Sequence, residues 1–290
     1  MQSYLDMLRQ IRDHGTAKHP TRAESGATVN PTIGIPSVHF THDLADGFPL
    51  LTTRPMAWRN IVGELRSFLE GRTTQAEFEA NGCKVFWKAW SNNLHDRGIV
   101  NPDTGEVFKP GDLGRIYGYQ WVANGQLHHV LNCLLNRPTD RRMVVSAWRP
   151  DEHHLMALHP CHYEWCVTPY DGKLNLSWKQ RSCDFPKGVP ANIASYALLA
   201  HILAAWAGLE PGKIDCIFCD SHIYQNQLDG VAEWLDRTPG SLPRVEIEFR
   251  QPVPDVKLGG QFMDTLYSWD VKLIGYEPQT PQINFGDTEV

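Results

Sequence analysis

The chain opens with Tyr4, Leu5, Leu8 and Ile11 at helical spacing and Gly15 after them, a pattern that predicts an amphipathic helix over residues 1–14. The same period recurs from Trp58 to Leu69, where Ile61, Leu65 and Phe68 form an apolar stripe, and again from Gln126 to Leu135. Glu64 lies on the stripe of the second helix, so a carboxylate is predicted to point inward. Thr21 to Pro36 is rich in turn formers, and residues 91–113 read as an exposed excursion. Arg142 to Trp148 predicts a strand built on Met-Val-Val. Asp171-Gly172 separates two strand-like runs, and that dipeptide favours a tight two-residue hairpin. On its second strand Leu174, Leu176 and Trp178 face one way, Lys179 and Arg181 the other. Ala191 to Leu209 is apolar nearly all round and stops at Gly208, which predicts a buried central helix. Lys213 to Cys219 reads as a strand, Tyr224 to Leu235 as a helix, and Val245 to Phe249 as a strand with alternate residues apolar. Helices and strands mix without a regular βαβ rhythm or internal repeat. The pattern predicts one α+β domain over residues 1–290, a mixed sheet packed with helices around that central helix.

Composition narrows the setting. A chain of 290 residues can bury a sizeable core without disulfides or metal. Its seven cysteines are an odd number at irregular spacing, which points to a reducing compartment. Charges run through the N-terminal region, where a signal peptide would need an apolar stretch. The longest apolar segment, Tyr196 to Leu209, is interrupted by His201 and falls short of the roughly 20 residues a bilayer requires. The expectation is a soluble, cytoplasmic protein with no membrane partner. A net charge of −6 argues against nonspecific nucleic-acid binding, so an anionic ligand must be held locally. Arg22, Arg137, Arg141, Arg142 and Arg181 are the local candidates, although each alone could be a solvated surface residue.

Candidate chemistry concentrates in Ala157–Cys166, where His159, Cys161, His162 and Cys166 offer metal ligands, a redox pair or a nucleophile. In an extended strand residues 159 and 161 face away from 162 and 166, so four ligands would not converge and no metal is expected. Cys216-Ile-Phe-Cys219 has the spacing of a redox pair but lies in an apolar strand, where packing is the simpler role. A nucleophilic Cys161 needs nearby positive charge to lower its thiol pKa, and Arg181 on the partner strand could supply it; an inert buried cysteine is the alternative. Glu64 is either a structural partner of an arginine or a proton carrier with a raised pKa. Trp87 and Trp90 could stack on a flat heterocycle or simply fill the core.

Seven motifs in order extend these residues into a resemblance. They are Asp46-Gly-Phe-Pro-Leu-Leu-Thr-Thr53, Tyr117-Gly-Tyr-Gln-Trp121, Asp140-Arg-Arg-Met-Val-Val-Ser-Ala-Trp148, Pro160-Cys-His162, Gln180-Arg-Ser-Cys-Asp184, Gly188-Val-Pro-Ala-Asn-Ile-Ala-Ser-Tyr196 and Asp220-Ser-His-Ile-Tyr224. Together they resemble the thymidylate synthase family, including its pyrimidine deoxynucleotide hydroxymethylases. The resemblance implies one-carbon transfer from 5,10-methylenetetrahydrofolate to C5 of dUMP by a homodimer. Cys161 would attack C6 of the base. Arg181 would lower the thiol pKa and hold the phosphate together with Arg22, Ser182 and, from the second subunit, Arg141 and Arg142. Glu64, His162 and Tyr117 would relay protons. Asn192 would select uracil, because its amide can accept from N3–H and donate to O4. Gln180 would line the nucleotide site, while His222 and Tyr224 would bond the 3′-hydroxyl. Asp184 would bind the pterin beside Trp87, Trp90, Leu158 and Gly188.

Departures from the family pattern cluster. The phosphate loop reads Arg22-Ala-Glu-Ser-Gly-Ala-Thr28; Lys187 and Ala191 stand where the family has Leu and Phe; His159 precedes Pro-Cys-His; Arg149 replaces Asn; and the chain ends Asn-Phe-Gly-Asp-Thr-Glu-Val290 rather than in an apolar tail. A polar tail and a histidine beside the nucleophile would admit water to an exocyclic methylene intermediate. That favours 5-hydroxymethyl-dUMP over thymidylate, in the manner of phage enzymes that make modified DNA precursors in the host cytoplasm; turnover of dCMP is the weaker alternative. Retention of Trp87 and Leu158 favours thymidylate. A different class, a catalytically dead homologue or a metal-dependent hydrolase using His128-His129 and His153-His154, is opposed by the joint presence of Cys161, Arg181, Asn192 and Glu64.

Overall fold

The Asp171-Gly172 hairpin forms as its turn chemistry requires, with both residues at positive φ, 49° and 74°. The computed structural model describes residues 1–20, 30–251 and 266–286. In chain order the elements begin with α1 (Gln2–His14), β1 (Thr16–Lys18), β2 (Thr32–Asp43), α2 (Trp58–Leu69), α3 (Gln75–Ala80) and α4 (Asn93–Asp96). There follow α5 (Tyr117–Ala123), α6 (Gln126–Asn136), β3 (Val144–Ser146), β4 (His162–Tyr170), β5 (Lys173–Gln180) and β6 (Cys183–Asp184). The chain closes with α7 (Gly188–Ala207), β7 (Glu210–Tyr224), α8 (Leu228–Leu235), β8 (Arg244–Phe249) and β9 (Trp269–Ile274).

The main sheet runs β1-β2-β7-β5-β4-β3, with β6 also on β7, and β8-β9 form a separate ribbon. Most pairings are antiparallel, but β5 and β6 run parallel to β7. The sheet is therefore mixed, and the chain is an α+β domain. Helix α7 lies over β5 and β7 and beneath α2 and α6, and its all-round apolar sequence is buried on nearly every face. Its length and hydropathy would let it cross a membrane; here those apolar residues are the core, with Ile193, Leu198, Leu199, Ile202 and Leu203 fully inaccessible.

Three sequence expectations are corrected. The turn-rich reading of Thr21 to Pro36 fails from Thr32 onward, where β2 pairs with β7 as far as Asp43. Gly34 fits the ladder because β2 and β7 approach closely: a Cβ there would lie 2.9 Å from the Ser221 carbonyl oxygen. Strand β7 runs on through Tyr224, and the helix expected from there starts only at Leu228, after a single 3-10 turn over Gln225–Gln227. Residues 91–113 are half-embedded: α4 forms within them, and Leu94, Phe108 and Leu113 are buried.

Candidate active site

Cys161 sits just before β4, where the register with β5 slips between His162 and Glu164. Such a slip bends a strand and re-aims its side chains. Two groups fix the nucleophile's backbone. The Cys161 N–H donates to the Tyr117 hydroxyl at 2.7 Å, and the Cys161 carbonyl accepts from the Arg181 N–H at 2.8 Å. The Arg181 guanidinium donates to the carbonyls of Pro160 (2.9 Å) and His159 (3.1 Å), so it clasps the turn that presents the thiol. Burial pushes the Cys161 thiol up, and Asp184 adds to that; the field of Arg181 and the Tyr117 hydroxyl act the other way without prevailing. The expectation that Arg181 lowers the thiol pKa is right in sign, but burial outweighs it.

Helix α2 delivers Glu64 to the same region. Its Oε1 accepts from the Trp87 indole at 2.8 Å, and burial pushes its carboxyl up to about 7 against the pull of that bond. A group poised there exchanges protons near neutral pH. Phe68, one turn along, joins the two parts, stacking on Tyr117 at 5.0 Å and meeting Trp87 edge-on at 6.1 Å. Tyr117 in turn stacks on His162 at 4.2 Å. The His162 imidazole is pushed down to about 3 by burial, so it is neutral, and its Nδ1 lies 3.0 Å from the Tyr196 hydroxyl.

An amide chain orients Asn192. Gln180 donates from Nε2 to the Ser182 carbonyl at 3.1 Å, which turns its Oε1 toward Asn192 Nδ2, also at 3.1 Å. Asn192 keeps its Oδ1 and one N–H for a ligand, an acceptor beside a donor. Asp184 accepts from the Lys187 N–H at 3.2 Å and from Gln227 at 3.2 and 3.3 Å, while burial raises its pKa. It pairs in register with His222, whose Nδ1 donates to the Asp220 carbonyl at 2.7 Å. Tyr224 ends β7, and its ring meets that of His222 edge-on at 5.2 Å. Gly188 opens α7. Trp90 and the half-buried Leu158 pack on the core, with Trp90 edge-on to Trp87 at 6.2 Å.

The structure thus brings together Cys161, Arg181, Tyr117, His162, Glu64 and Trp87, and joins Asn192 to Gln180 and Ser182. It does not bring in Arg141 and Arg142: both are exposed ahead of the edge strand β3, and Arg142 is held by Asp140 at 3.0 Å. Arg22 lies outside the described residues. Cys216 and Cys219 sit on opposite faces of β7, Cys216 fully buried and Cys219 half-exposed, so they form no redox pair. Among the described residues no group of three or more His, Cys, Asp or Glu could hold a metal ion. Sequence reasoning missed Tyr196 and Gln227. Tyr196 carried a signal, since it follows Asn192 by four residues and shares its helix face; Gln227 carried none. His159 also acquires a partner, its ring stacking on His153 at 4.6 Å.

Comparison with known proteins agrees with this geometry. Residues 2–286 match the protein family described as "Thymidylate synthase". A protein of Escherichia phage T5 described as "Probable thymidylate synthase" is 37% identical over 286 residues, covering 96% of each chain.

Proposed function

The chain belongs to the thymidylate synthase family, whose members transfer one carbon from 5,10-methylenetetrahydrofolate to a pyrimidine deoxynucleotide, and on that premise we propose that it acts on C5 of dUMP. The observation that carries the reading is the convergence of Tyr117 and Arg181 on Cys161, with the Glu64–Trp87 pair packed on Tyr117. Cys161 attacks C6 as the thiolate, and the substrate phosphate on Arg181 shares that arginine's field with the sulfur. The new C6–S bond makes C5 nucleophilic, so that a C5–C bond to the one-carbon unit can form. Glu64, titrating near neutrality, accepts and returns protons at the base. Neutral His162 and the protonated Tyr117 phenol complete the relay. Asn192, oriented by Gln180, matches the donor and acceptor edge of uracil. Bound folate supplies the carbon and, for a methyl product, the hydride. Trp87, Trp90 and Leu158 offer its rings an apolar wall, and half-buried Asp184 offers an acceptor.

For the product, the site supports thymidylate with dihydrofolate best. Water capture drew part of its support from His159, whose ring packs on His153; Trp87, whose indole is held by Glu64, offers an apolar face instead. The hydroxymethyl product is the second reading, favoured by Lys187, whose ammonium donates to the Gly286 carbonyl at 2.8 Å, and by the small Ala191 where the family has Phe. Incubation with dUMP and methylenetetrahydrofolate, followed by mass analysis of the nucleotide and dihydrofolate absorbance, separates the two. Hydroxymethyl-dUMP without dihydrofolate would overturn the thymidylate reading. Turnover surviving in a folded Cys161→Ala variant would overturn the mechanism, and faster turnover of dCMP would overturn the assignment to Asn192.

A further inference from the structure

Trp148 stands at the surface, 37% exposed, with the Arg181 guanidinium over its indole at 5.4 Å from the ring centroid. The segment that presents the indole is fixed. Ser146 exchanges two main-chain bonds with the Gln126 amide, at 2.8 and 2.9 Å, and the Ala147 N–H donates to the Tyr163 carbonyl at 2.8 Å. His153, edge-on at 4.3 Å, and Tyr163, at 5.9 Å, brace the ring. Arg181 is held along one edge. Its Nε and Nη2 donate to the neighbouring carbonyls of Pro160 and His159, which closes the side edge of the guanidinium. The end fork of Nη1 and the outer N–H of Nη2 is left over, and Nη1 has no hydrogen-bond partner among the described residues. Such a fork meets a phosphate in the plane of the guanidinium, through two parallel N–H bonds. Two bonds along one edge still let that plane hinge about the edge and swing the fork. A ring against one face stops the swing, and the cation–π attraction favours the stacked orientation.

We propose that Trp148 is a positioning residue of the phosphate site: its indole fixes the plane of Arg181, so that the free fork is aimed at the 5′-phosphate before the nucleotide arrives. This rests on the reading of Arg181 as the phosphate ligand. Trp148 acts through Arg181 rather than on the substrate. A fork already in its binding orientation need not be ordered when the anion docks, which tightens binding. The Tyr117 hydroxyl and the Arg181 N–H hold the Cys161 backbone without help from the indole. Loss of the ring therefore loosens the hold on the phosphate and leaves the presentation of the thiol in place. The indole thereby favours the phosphorylated nucleotide over its nucleoside.

The test is isothermal titration calorimetry of dUMP into the intact protein and into its Trp148→Leu, Trp148→Gln and Trp148→Phe variants, with kinetics on the same samples and deoxyuridine as a competitor. Melting temperatures check that each variant is folded, and either ringless variant serves if the other is not. Without the ring, dUMP affinity should fall roughly three- to tenfold. The KM for dUMP should rise to match, while kcat moves by less than about twofold. Trp148→Phe keeps a ring face and should keep most of the affinity. Inhibition by deoxyuridine, which has no phosphate to place, should be the same in all. An Arg181→Lys background separates position from packing, because an ammonium is a point charge with no plane to hold. There Trp148→Leu should change dUMP affinity by less than about twofold. Unchanged dUMP affinity in the ringless variants, an equal loss with deoxyuridine, a Trp148→Phe variant as weak as Trp148→Leu, or the same loss in the Arg181→Lys background would sink the proposal while leaving the reaction intact. Failure of dUMP to bind the unmodified protein would overturn the underlying reading, and this inference with it.

Discussion

Glu64 shows how one helical position becomes chemistry. Its place on the apolar stripe of α2 was legible from periodicity, but its partner was not, since Trp87 comes 23 residues later through an irregular segment. The pKa direction has a stability consequence. The folded carboxyl is raised to about 7 from an ordinary value of 4.5, so the folded state holds more protons than the unfolded chain between those values. Its contribution is fully present below pH 4.5 and is lost as pH rises through 7. His162, pushed down to about 3, acts oppositely: its contribution is present above its ordinary 6.5 and lost as pH falls toward 3. Comparing the unmodified protein with Glu64→Gln cancels the histidine. Denaturant unfolding of the two should therefore diverge in favour of the variant from pH 4.5 to 7 and run parallel above, by on the order of 3 kcal/mol. The same substitution should lower kcat by roughly 10²- to 10⁴-fold. A difference that is flat in pH would show that Glu64 is not buried as a neutral acid.

At the scale of elements, the legible parts were those whose pattern is local. The hairpin turn, the apolar α7 and the bounds of α2 follow from dipeptide chemistry and period. The start of β2 and the end of β7 were not legible, because each depends on the other as partner: Gly34 and Pro36 read locally as turn formers, yet they stand within a ladder twelve residues long. The approach of α5 to α2 was hidden for the same reason. Gly118 lies against Phe68, and a Cβ there would fall 2.5 Å from the Phe68 carbonyl oxygen and 2.6 Å from its Cα. Backbone cannot yield as a flexible side chain can, so Gly118→Ala should push α5 outward and carry Tyr117 away from the Cys161 N–H. Overpacking of this kind costs about 1–3 kcal/mol. A lowered melting temperature should accompany a fall in kcat, and Phe68→Ala in the same chain should restore neither, since the clash is with main chain. Full activity in Gly118→Ala would show that α5 does not position the nucleophile.

At the scale of the whole molecule, the reading of Arg141 and Arg142 as phosphate ligands requires a second chain. Arg141 and Arg142 were legible as candidate anion ligands from their clustering and from the Asp140–Trp148 motif, yet both stand exposed ahead of β3, and Asp140, its side chain covered, holds Arg142. One side of the sheet is open near them, with Ile217 and Val144 exposed at 43% and 41%. A second copy packed on that face would cover apolar surface that a lone chain leaves in water. Isologous pairing would also carry each arginine pair toward the other chain's Cys161. The expectation is that Cys161→Ala and Arg142→Glu chains, each inactive alone, regain activity when mixed after reversible dissociation. In a random mixture about half of the dimers are hybrid, and each hybrid has one site with both defects and one with neither. Activity should therefore rise toward roughly a quarter of the unmodified level and follow the kinetics of subunit exchange. The dUMP affinity of the restored sites should equal that of the unmodified protein, because every group of such a site is native. Mixed chains that exchange, as shown by mass analysis of the dimers, but stay inactive would mean that Arg142 serves its own chain.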